Sequence, residues 1–175
     1  MLLGLDIGTT NVKALVTRPD GSILADGAAP VPLSHTTDDG VEQDIEHIWQ
    51  AALAAVRQAG RKTHLAAVQA LGISSQGGAL QLRDPAGKPL GPVVSWLDGR
   101  GQPYDEQLTR RLGADWFAQH VGHPAAAVAV GQILRLKAAD PRLTAWPNRV
   151  GFVGDTLVAR LTGRAAHDCS SLSIA

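Results

Sequence analysis

The chain has few of the features that are typical of secreted proteins, membrane-spanning proteins and proteins with structural zinc sites. It has one cysteine, Cys169, so no internal disulfide can form and the cytoplasm is the expected compartment. No apolar run approaches the length of a membrane span, and the N-terminus lacks the basic stretch and cleavage site of a signal peptide. The six histidines form no His-x-x-x-His pair or Cys/His cluster, which argues against structural zinc. With 16 basic and 16 acidic residues, nothing favours nucleic acid or an acidic membrane as a partner.

The chain begins with a predicted β-hairpin inside a single domain. Its 175 residues suffice for one core. Two short aliphatic runs, Leu2 to Ile7 and Val12 to Val16, flank a polar turn and predict two strands. Further strands are predicted from Ile23 to Val31 and from Leu65 to Ser74, the latter mostly buried. Between them, residues 34–40 are predicted as a loop, and a helix is predicted after Asp44 as its N-cap.

The hairpin turn carries groups that suit a metal-bound phosphate. Asp6 ends the first strand, where its carboxylate must be exposed or paired, and Gly8 lets the backbone turn tightly or approach a ligand. Two threonines and a lysine add hydroxyls, N–H groups and positive charge. The candidate phosphate and metal residues are Asp6, Gly8, Thr9, Thr10 and Lys13. On spacing alone, an ordinary hairpin with a polar turn is the alternative.

Four blocks of sequence resemble one known family. The run DIGTTNVK at 6–13 resembles the phosphate-binding hairpin of the actin-like ATPase superfamily, and similar runs open the FGGY carbohydrate kinases. Gly-Ile-Ser-x-Gln at 72–76, Trp-x-Asp-x-Arg at 96–100 and a helix at 155–163 followed by Asp168 resemble later blocks of that family. The resemblance runs from Leu2 to Ser173 and implies the N-terminal domain of a xylulokinase-like or glycerol kinase-like enzyme. The implied fold is α/β, ribonuclease H-like, with a mixed central sheet flanked by helices.

The same resemblance marks a sugar site. Carboxylates and amides can pair with vicinal hydroxyls, and an indole can lie on the C–H face of a sugar. Arg100 is expected either to hold Asp98 by a bidentate pair or to stay on the surface, and on the residues alone this segment is also a polar turn before a helix. Trp49 is expected in the core, while Glu42 and Gln43 are candidates to brace the site wall. The expected substrate-binding residues are Gln76, Gly77, Gly78, Trp96, Asp98 and Arg100.

The chain also departs from the family it resembles. Gly77-Gly78 stands where glycerol kinases have Arg-Glu and xylulokinases have Met-His, which leaves a roomier pocket or one that uses backbone groups. In a helix predicted from Ala125 to Ala139, the run 132–136 lacks the family's lysine and tryptophan. Asp168 and the serines after it are either a capped loop or a ligand site. The sugar or polyol therefore stays open, with a pentulose such as xylulose implied first.

The resemblance implies a phosphoryl-transfer mechanism and further parts of the kinase that lie beyond residue 175. Such kinases move the γ-phosphate of ATP to a hydroxyl, with Mg²⁺ held near Asp6 through water and a carboxylate as base. The base and the adenosine site are expected beyond residue 175, in the remaining part of the kinase and its C-terminal domain, so the chain alone is expected to be inactive. Its exposed face is expected to favour a homodimer or larger assembly. A non-catalytic sugar-binding or assembly module is the alternative, whereas chaperone-type and actin-type ATPases share only the hairpin.

Overall fold

The computed structural model describes residues 1–168, which divide into two compact units. The first unit comprises Met1–Leu33 and Gln43–Gln76, and the second comprises Ser34–Glu42 and the chain from Gly77 onward. In chain order the strands and helices are β1 (Leu2–Ile7), β2 (Asn11–Thr17), β3 (Ile23–Pro30), β4 (Ser34–His35), β5 (Val41–Gln43), α1 (Ile45–Gly60), β6 (Ala70–Ser75), β7 (Leu80–Arg83), β8 (Val93–Val94), α2 (Gln102–Leu112), α3 (Ala114–His120), α4 (Ala129–Ala139), β9 (Arg149–Phe152) and α5 (Val153–Thr162). None of these helices is long and apolar enough to cross a membrane.

The first unit is a four-stranded mixed sheet with α1 packed on one face. Its strand order is β3-β2-β1-β6, with β1 to β3 antiparallel, as predicted, and β6 parallel to β1. Apolar side chains alternate along the strands and pack toward the helix. The most buried residues of α1 are Ile45, Ile48, Ala51, Ala52, Ala55 and Ala59. The four alanines among them are small and let the helix lie close to the sheet. Trp49, predicted in the core, is half-buried, as are Leu53 and Val56.

The last strand of the first unit differs from its prediction in start and burial. Residues Leu65–Ala67 form a 3₁₀ turn, and β6 begins only at Ala70. Leu71, predicted to be buried, is 41% exposed. In the part of the chain described here, β6 pairs only with β1, so one edge of the strand has no strand partner. Part of this aliphatic strand is therefore exposed. The sequence pattern did not predict the exposure, because it does not show which neighbours a strand has.

The second unit holds a five-stranded sheet of order β4-β5-β8-β7-β9. Its core comprises Leu80, Val94, Ala129, Phe152 and the half-buried Ile133 and Leu136. The segment predicted as a loop at 34–40 contains β4, which pairs with β5. Strand β5 ends directly before Asp44, which caps α1 as predicted and accepts from the N–H of Glu46 at 2.8 Å. The pairing of β4 with β5 thus makes a strand of polar residues that local sequence predicts as a loop.

Two helices of the second unit begin elsewhere than predicted. Helix α4 begins at Ala129 rather than Ala125, because the preceding residue Val128 has φ of +57°, which no helix accepts. Helix α5 begins at Val153, two residues before the predicted start at position 155, so Asp155 sits inside the first turn and accepts from the N–H of Phe152 at 2.7 Å. The predicted end at Gly163 is confirmed, in a left-handed conformation. Cys169 and the predicted serine segment lie outside the described residues.

Candidate functional site

The carboxyl ends of the parallel strands β1 and β6 lie side by side in the first unit. Ile7 is in register with Ser75, and the N–H of Gln76 donates to the carbonyl of Ile7 at 2.8 Å. Ligands of open α/β sheets bind beyond the carboxyl ends of parallel strands. The polar turn after β1 and the side chain of Gln76 after β6 are therefore brought together at the edge where a ligand is expected.

The turn after β1 is held by backbone hydrogen bonds on both sides. The N–H of Gly8 donates to the carbonyl of Asn11 at 3.0 Å, and the carbonyl of Thr10 accepts from the N–H of Val31 at 2.8 Å. Within the turn, the Asn11 side-chain amide donates to the hydroxyl of Thr10 at 3.3 Å. The carbonyl of Thr9 accepts from Nε2 of Gln43 at 2.9 Å. The predicted phosphate residues of the turn thus form one fixed element.

Asp6 and Lys13 lie on the open face of the sheet, opposite α1. They are cross-strand neighbours, and Asp6 is also in register with Ser74 of β6. All three line a trough of about 660 Å³ on this face. Among the residues that the structure describes, no group of three or more His, Cys, Asp or Glu side chains is placed to hold a metal. One exposed carboxylate fits a Mg²⁺ ion that keeps its waters and arrives with phosphates, and not a protein-built metal cage.

Two buried glutamines connect the turn to the end of β6. Nε2 of Gln76 donates to Oε1 of Gln43 at 2.8 Å, and Gln43 in turn donates to the carbonyl of Thr9. Both side chains are almost fully buried, and Oε1 of Gln76 has no hydrogen-bond partner. A buried acceptor left unpaired is uncommon and needs an explanation. The sequence pointed to Gln76, but the contact of Gln43 with Thr9 joins residues 34 positions apart and had no local signal.

The Trp-x-Asp-x-Arg segment forms a charged cluster in the second unit. Arg100 pairs with Asp98 through Nη2 to Oδ2 at 2.7 Å and through Nε to both oxygens at 3.1 Å. The same guanidinium donates to Glu42 at 2.6 Å and to Asp38 at 3.3 Å. Of the two positions considered for Arg100, the bidentate pair with Asp98 is the one observed. Gly40 is needed beside it, because an added Cβ would lie 2.3 Å from Cζ of Arg100.

Asp98 has few acceptor positions left for a ligand. Its side chain has no exposed surface, and it also accepts from the N–H groups of Val41 and Arg100 and from Nε2 of Gln132, at 2.9, 2.9 and 3.0 Å. Burial alone would raise the pKa of Asp98, but the hydrogen bonds from Arg100, Val41 and Gln132 outweigh it and hold the pKa below its ordinary value. The pKa of Arg100 is raised, mainly by Asp98. Direct substrate binding by either residue stays a prediction.

Gly78 and Trp96 meet a third residue that the sequence did not single out. Trp96 is 48% exposed. Gly78 has φ of +71°, and a Cβ there would lie 2.4 Å from Cγ1 of Val128 and 3.5 Å from Cβ of Trp96. Val128 therefore occupies the space that a side chain at position 78 would need. Its own positive φ is rare for a β-branched residue, and such strain often marks a functional site.

Solved structures of sugar kinases share this fold. The xylulose kinase from Rhodospirillum rubrum superposes with a TM-score of 0.89 over 99% of the chain and 36% of that protein, at 21% identity. The ligand-bound xylulose kinase from Lactobacillus acidophilus gives 0.86 over 98% of the chain and 35% of that protein, at 22% identity. The predicted ribonuclease H-like α/β fold is thereby confirmed.

Sequence relatives carry kinase names as well. An apulose kinase of Pectobacterium atrosepticum is 35% identical over 62% of the chain and 22% of that relative. A glycerol kinase of Delftia acidovorans is 30% identical over 95% of the chain and 35% of that relative, and a xylulose kinase of Escherichia coli is 28% identical over 97% and 35%. The chain thus spans 22 to 35% of the length of these relatives. The family model described as the N-terminal domain of the FGGY family of carbohydrate kinases matches residues 1–175. The chain therefore belongs to the FGGY family of carbohydrate kinases.

Proposed function

We propose that this chain is the N-terminal, sugar-side part of a kinase that transfers the γ-phosphate of ATP to a hydroxyl of a sugar or polyol. The family and the names of its relatives support a kinase of this class. The observation that carries the proposal is the meeting of a fixed polar turn and an unpaired buried acceptor, Gln76, at the carboxyl ends of β1 and β6. A pentulose such as xylulose is the first substrate to test.

On the phosphate side, each residue has a role that its position allows. Asp6 would hold a Mg²⁺ ion that keeps its waters, and Lys13, its cross-strand neighbour, would add a positive charge for phosphate oxygens. Thr9 and Thr10 present hydroxyl and N–H groups from a turn that Gly8 closes. When bound, MgATP supplies the phosphoryl group and the charge that stabilises its transfer. The chain contributes a preorganised set of donors.

On the sugar side, we assign contact to some residues and support to others. Gln76 accepts a substrate hydroxyl, and the exposed indole of Trp96 lies against a C–H face. Gly77-Gly78 contributes no side chain. Val128 and backbone groups therefore fill the space next to Gly78 and Trp96. Asp98 and Arg100 support the segment that carries Trp96, since their hydrogen-bonding groups are largely used within the protein.

The rest of the machinery belongs to the part of the relatives that the chain does not span. We place the catalytic base and the adenosine site there, and the C-terminal domain is the proposed partner, with cytoplasmic location and a homodimer of this chain as further expectations. The purified chain alone then has no kinase activity. A non-catalytic sugar-binding or assembly module is the second candidate. It is favoured by Gly77-Gly78 and by Gln132, which stands in place of the family's lysine and binds Asp98.

Two assays test the proposal. In a coupled ADP-release assay, the full-length gene product should phosphorylate D-xylulose, D-ribulose or glycerol, and the purified chain should not. Turnover by the chain alone would contradict the expected inactivity. Calorimetric titration of the chain with the same sugars should detect binding that Gln76→Met weakens. Binding without turnover by the full-length product would favour the non-catalytic module, and neither binding nor turnover would overturn both.

A further inference from the structure

We infer that Gln43 and Gln76 form an amide relay that reports occupation of the sugar site to the phosphate turn. This inference rests on the proposed function and extends it by assigning Gln43 as a positioning residue. The relay is directional: Gln76 donates to Gln43 at 2.8 Å, and Gln43 donates to the carbonyl of Thr9 at 2.9 Å. At its input end, Oε1 of Gln76 is buried and unpaired.

The output of the relay follows from the geometry of the peptide bond. The six atoms of the Thr9–Thr10 peptide lie in one plane, and in the trans form the carbonyl and the N–H point to opposite sides. Because Gln43 holds the carbonyl of Thr9, it also directs the N–H of Thr10 away from Gln43. That N–H belongs to the turn expected to face phosphate. Gln43 thereby fixes the direction of a phosphate donor that it does not itself touch.

The input follows from the unpaired oxygen. A hydroxyl that donates to Oε1 of Gln76 would remove the cost of a buried unsatisfied acceptor. Accepting that bond also polarises the amide and strengthens the hydrogen bond that its N–H group donates to Gln43. Because Oε1 is buried, a hydroxyl can reach it only if the groups around it move.

A second buried glutamine shows that the location decides the role. Gln81 of β7 is fully buried, donates to the carbonyls of Leu82 and Gly91 at 2.9 and 3.1 Å, and also has an unpaired Oε1. It does not lie at the carboxyl ends of β1 and β6, and neither of these two hydrogen bonds goes to Gln43 or to the turn. Gln81 therefore matches Gln43 in burial and amide chemistry and serves as the control.

The test follows sugar binding by nuclear magnetic resonance on the ¹⁵N-labelled chain. D-xylulose and glycerol are titrated into the wild type, Gln43→Met and Gln81→Met, and the side-chain amide of Gln76 and the backbone amide of Thr10 are monitored. In the wild type and in Gln81→Met, both signals should shift with one binding curve. In Gln43→Met, Gln76 should still shift and Thr10 should not. If Gln43→Met does not fold, Gln43→Glu takes its place, since an ionised carboxylate accepts from Gln76 but cannot donate to Thr9.

The outcomes separate the relay from the proposed function. A shift of Thr10 that persists in the Gln43 variant, or a wild type in which Gln76 shifts and Thr10 stays, overturns the relay and leaves sugar binding intact. If neither sugar moves Gln76, the proposed sugar site and the relay fall together. In the full-length gene product, the Gln43 variant should lower kcat by roughly tenfold to a hundredfold, as misplacement of reacting groups does, with KM for the sugar unchanged.

Discussion

The neutral glutamine pair of the first unit and the charged cluster of the second unit are both buried, but they differ in how fully their hydrogen bonds are used. Asp98 accepts from Arg100, Val41 and Gln132, and the guanidinium of Arg100 is shared among three carboxylates. Gln76, in contrast, keeps one buried acceptor without a partner. A cluster whose hydrogen bonds are all made within the protein stabilises the fold. An unpaired acceptor at the carboxyl end of a strand can instead accept a hydrogen bond from a ligand.

The largest expected effect comes from removing the cation of the saturated cluster. Arg100→Met leaves the buried Asp98 without its charge partner, so the free energy of unfolding should fall by about 3 to 5 kcal/mol in urea denaturation at neutral pH. Arg142→Met is the matched control, because Arg142 forms the same bidentate pair with Asp140 but is 90% exposed. It should not move the midpoint. Equal losses in the two variants would contradict the assignment.

The effect of Arg100→Met should depend on pH. The hydrogen bonds that lower the pKa of Asp98 contribute stability above the ordinary pKa of an aspartate, about 3.9, and lose it as the pH falls through the lower folded-state value. In Arg100→Met, buried Asp98 becomes easier to protonate, so the gap between variant and wild type should shrink toward acid. Urea midpoints of both proteins, measured from neutral pH down through the ordinary pKa of aspartate, test this prediction. A gap that stays constant across this range would show that the cluster contributes through packing rather than charge.

The segment beside Trp96 should be sensitive to added volume, although less than the charged cluster is to the loss of its cation. Gly78→Ala adds a Cβ at 2.4 Å from Val128 and places it on a residue with φ of +71°, so the unfolding free energy should fall by about 2 to 3 kcal/mol. Gly87→Ala carries similar backbone strain, with φ of +86°, but meets nothing within 4 Å, so it should cost only about 1 kcal/mol. Adding Val128→Ala to Gly78→Ala should remove the clash and reduce the loss of unfolding free energy to about that of Gly87→Ala. If the losses of the two single variants simply add in the double variant, the clash is refuted.

The smallest effect is expected at the residue assigned to the ligand. Gln76→Met removes the unpaired Oε1 of Gln76 but leaves Oε1 of Gln43 unpaired in its place, so the net change is one lost hydrogen bond and the unfolding free energy should change by about 1 kcal/mol. The same variant should lose most of its sugar affinity in calorimetric titration. A large loss of stability with normal binding would place Gln76 with the structural residues and remove the contrast with Asp98.

Sequence reasoning reached those parts of the fold and site whose signals are local. The β1–β2 hairpin, the cap at Asp44 and the end of α5 at Gly163 follow from short patterns, and all three are confirmed. The exposed β6 and the short β4–β5 pair depend on which strands become neighbours, which a single sequence does not encode locally.

The site residues divide in the same way. Asp98 and Arg100 are two positions apart, so their pairing could be foreseen, but their further partners Glu42, Val41 and Gln132 are brought in by tertiary structure. The bond from Gln43 to Thr9 likewise joins distant parts of the chain. Backbone strain at Val128 could not be foreseen either, because valine gives no sequence signal for a positive φ.

The contrast between the two buried clusters is tested most directly by one titration of the ¹⁵N-labelled wild-type chain with D-xylulose. The side-chain amide of Gln76 and the Nε–H of Arg100 are followed in the same spectra. The unsaturated glutamine should shift with a saturable curve while the Arg100 signal stays in place, protected by Asp98 and Glu42. A titration that moves Arg100 and leaves Gln76 unchanged would contradict the account and return substrate contact to the charged cluster.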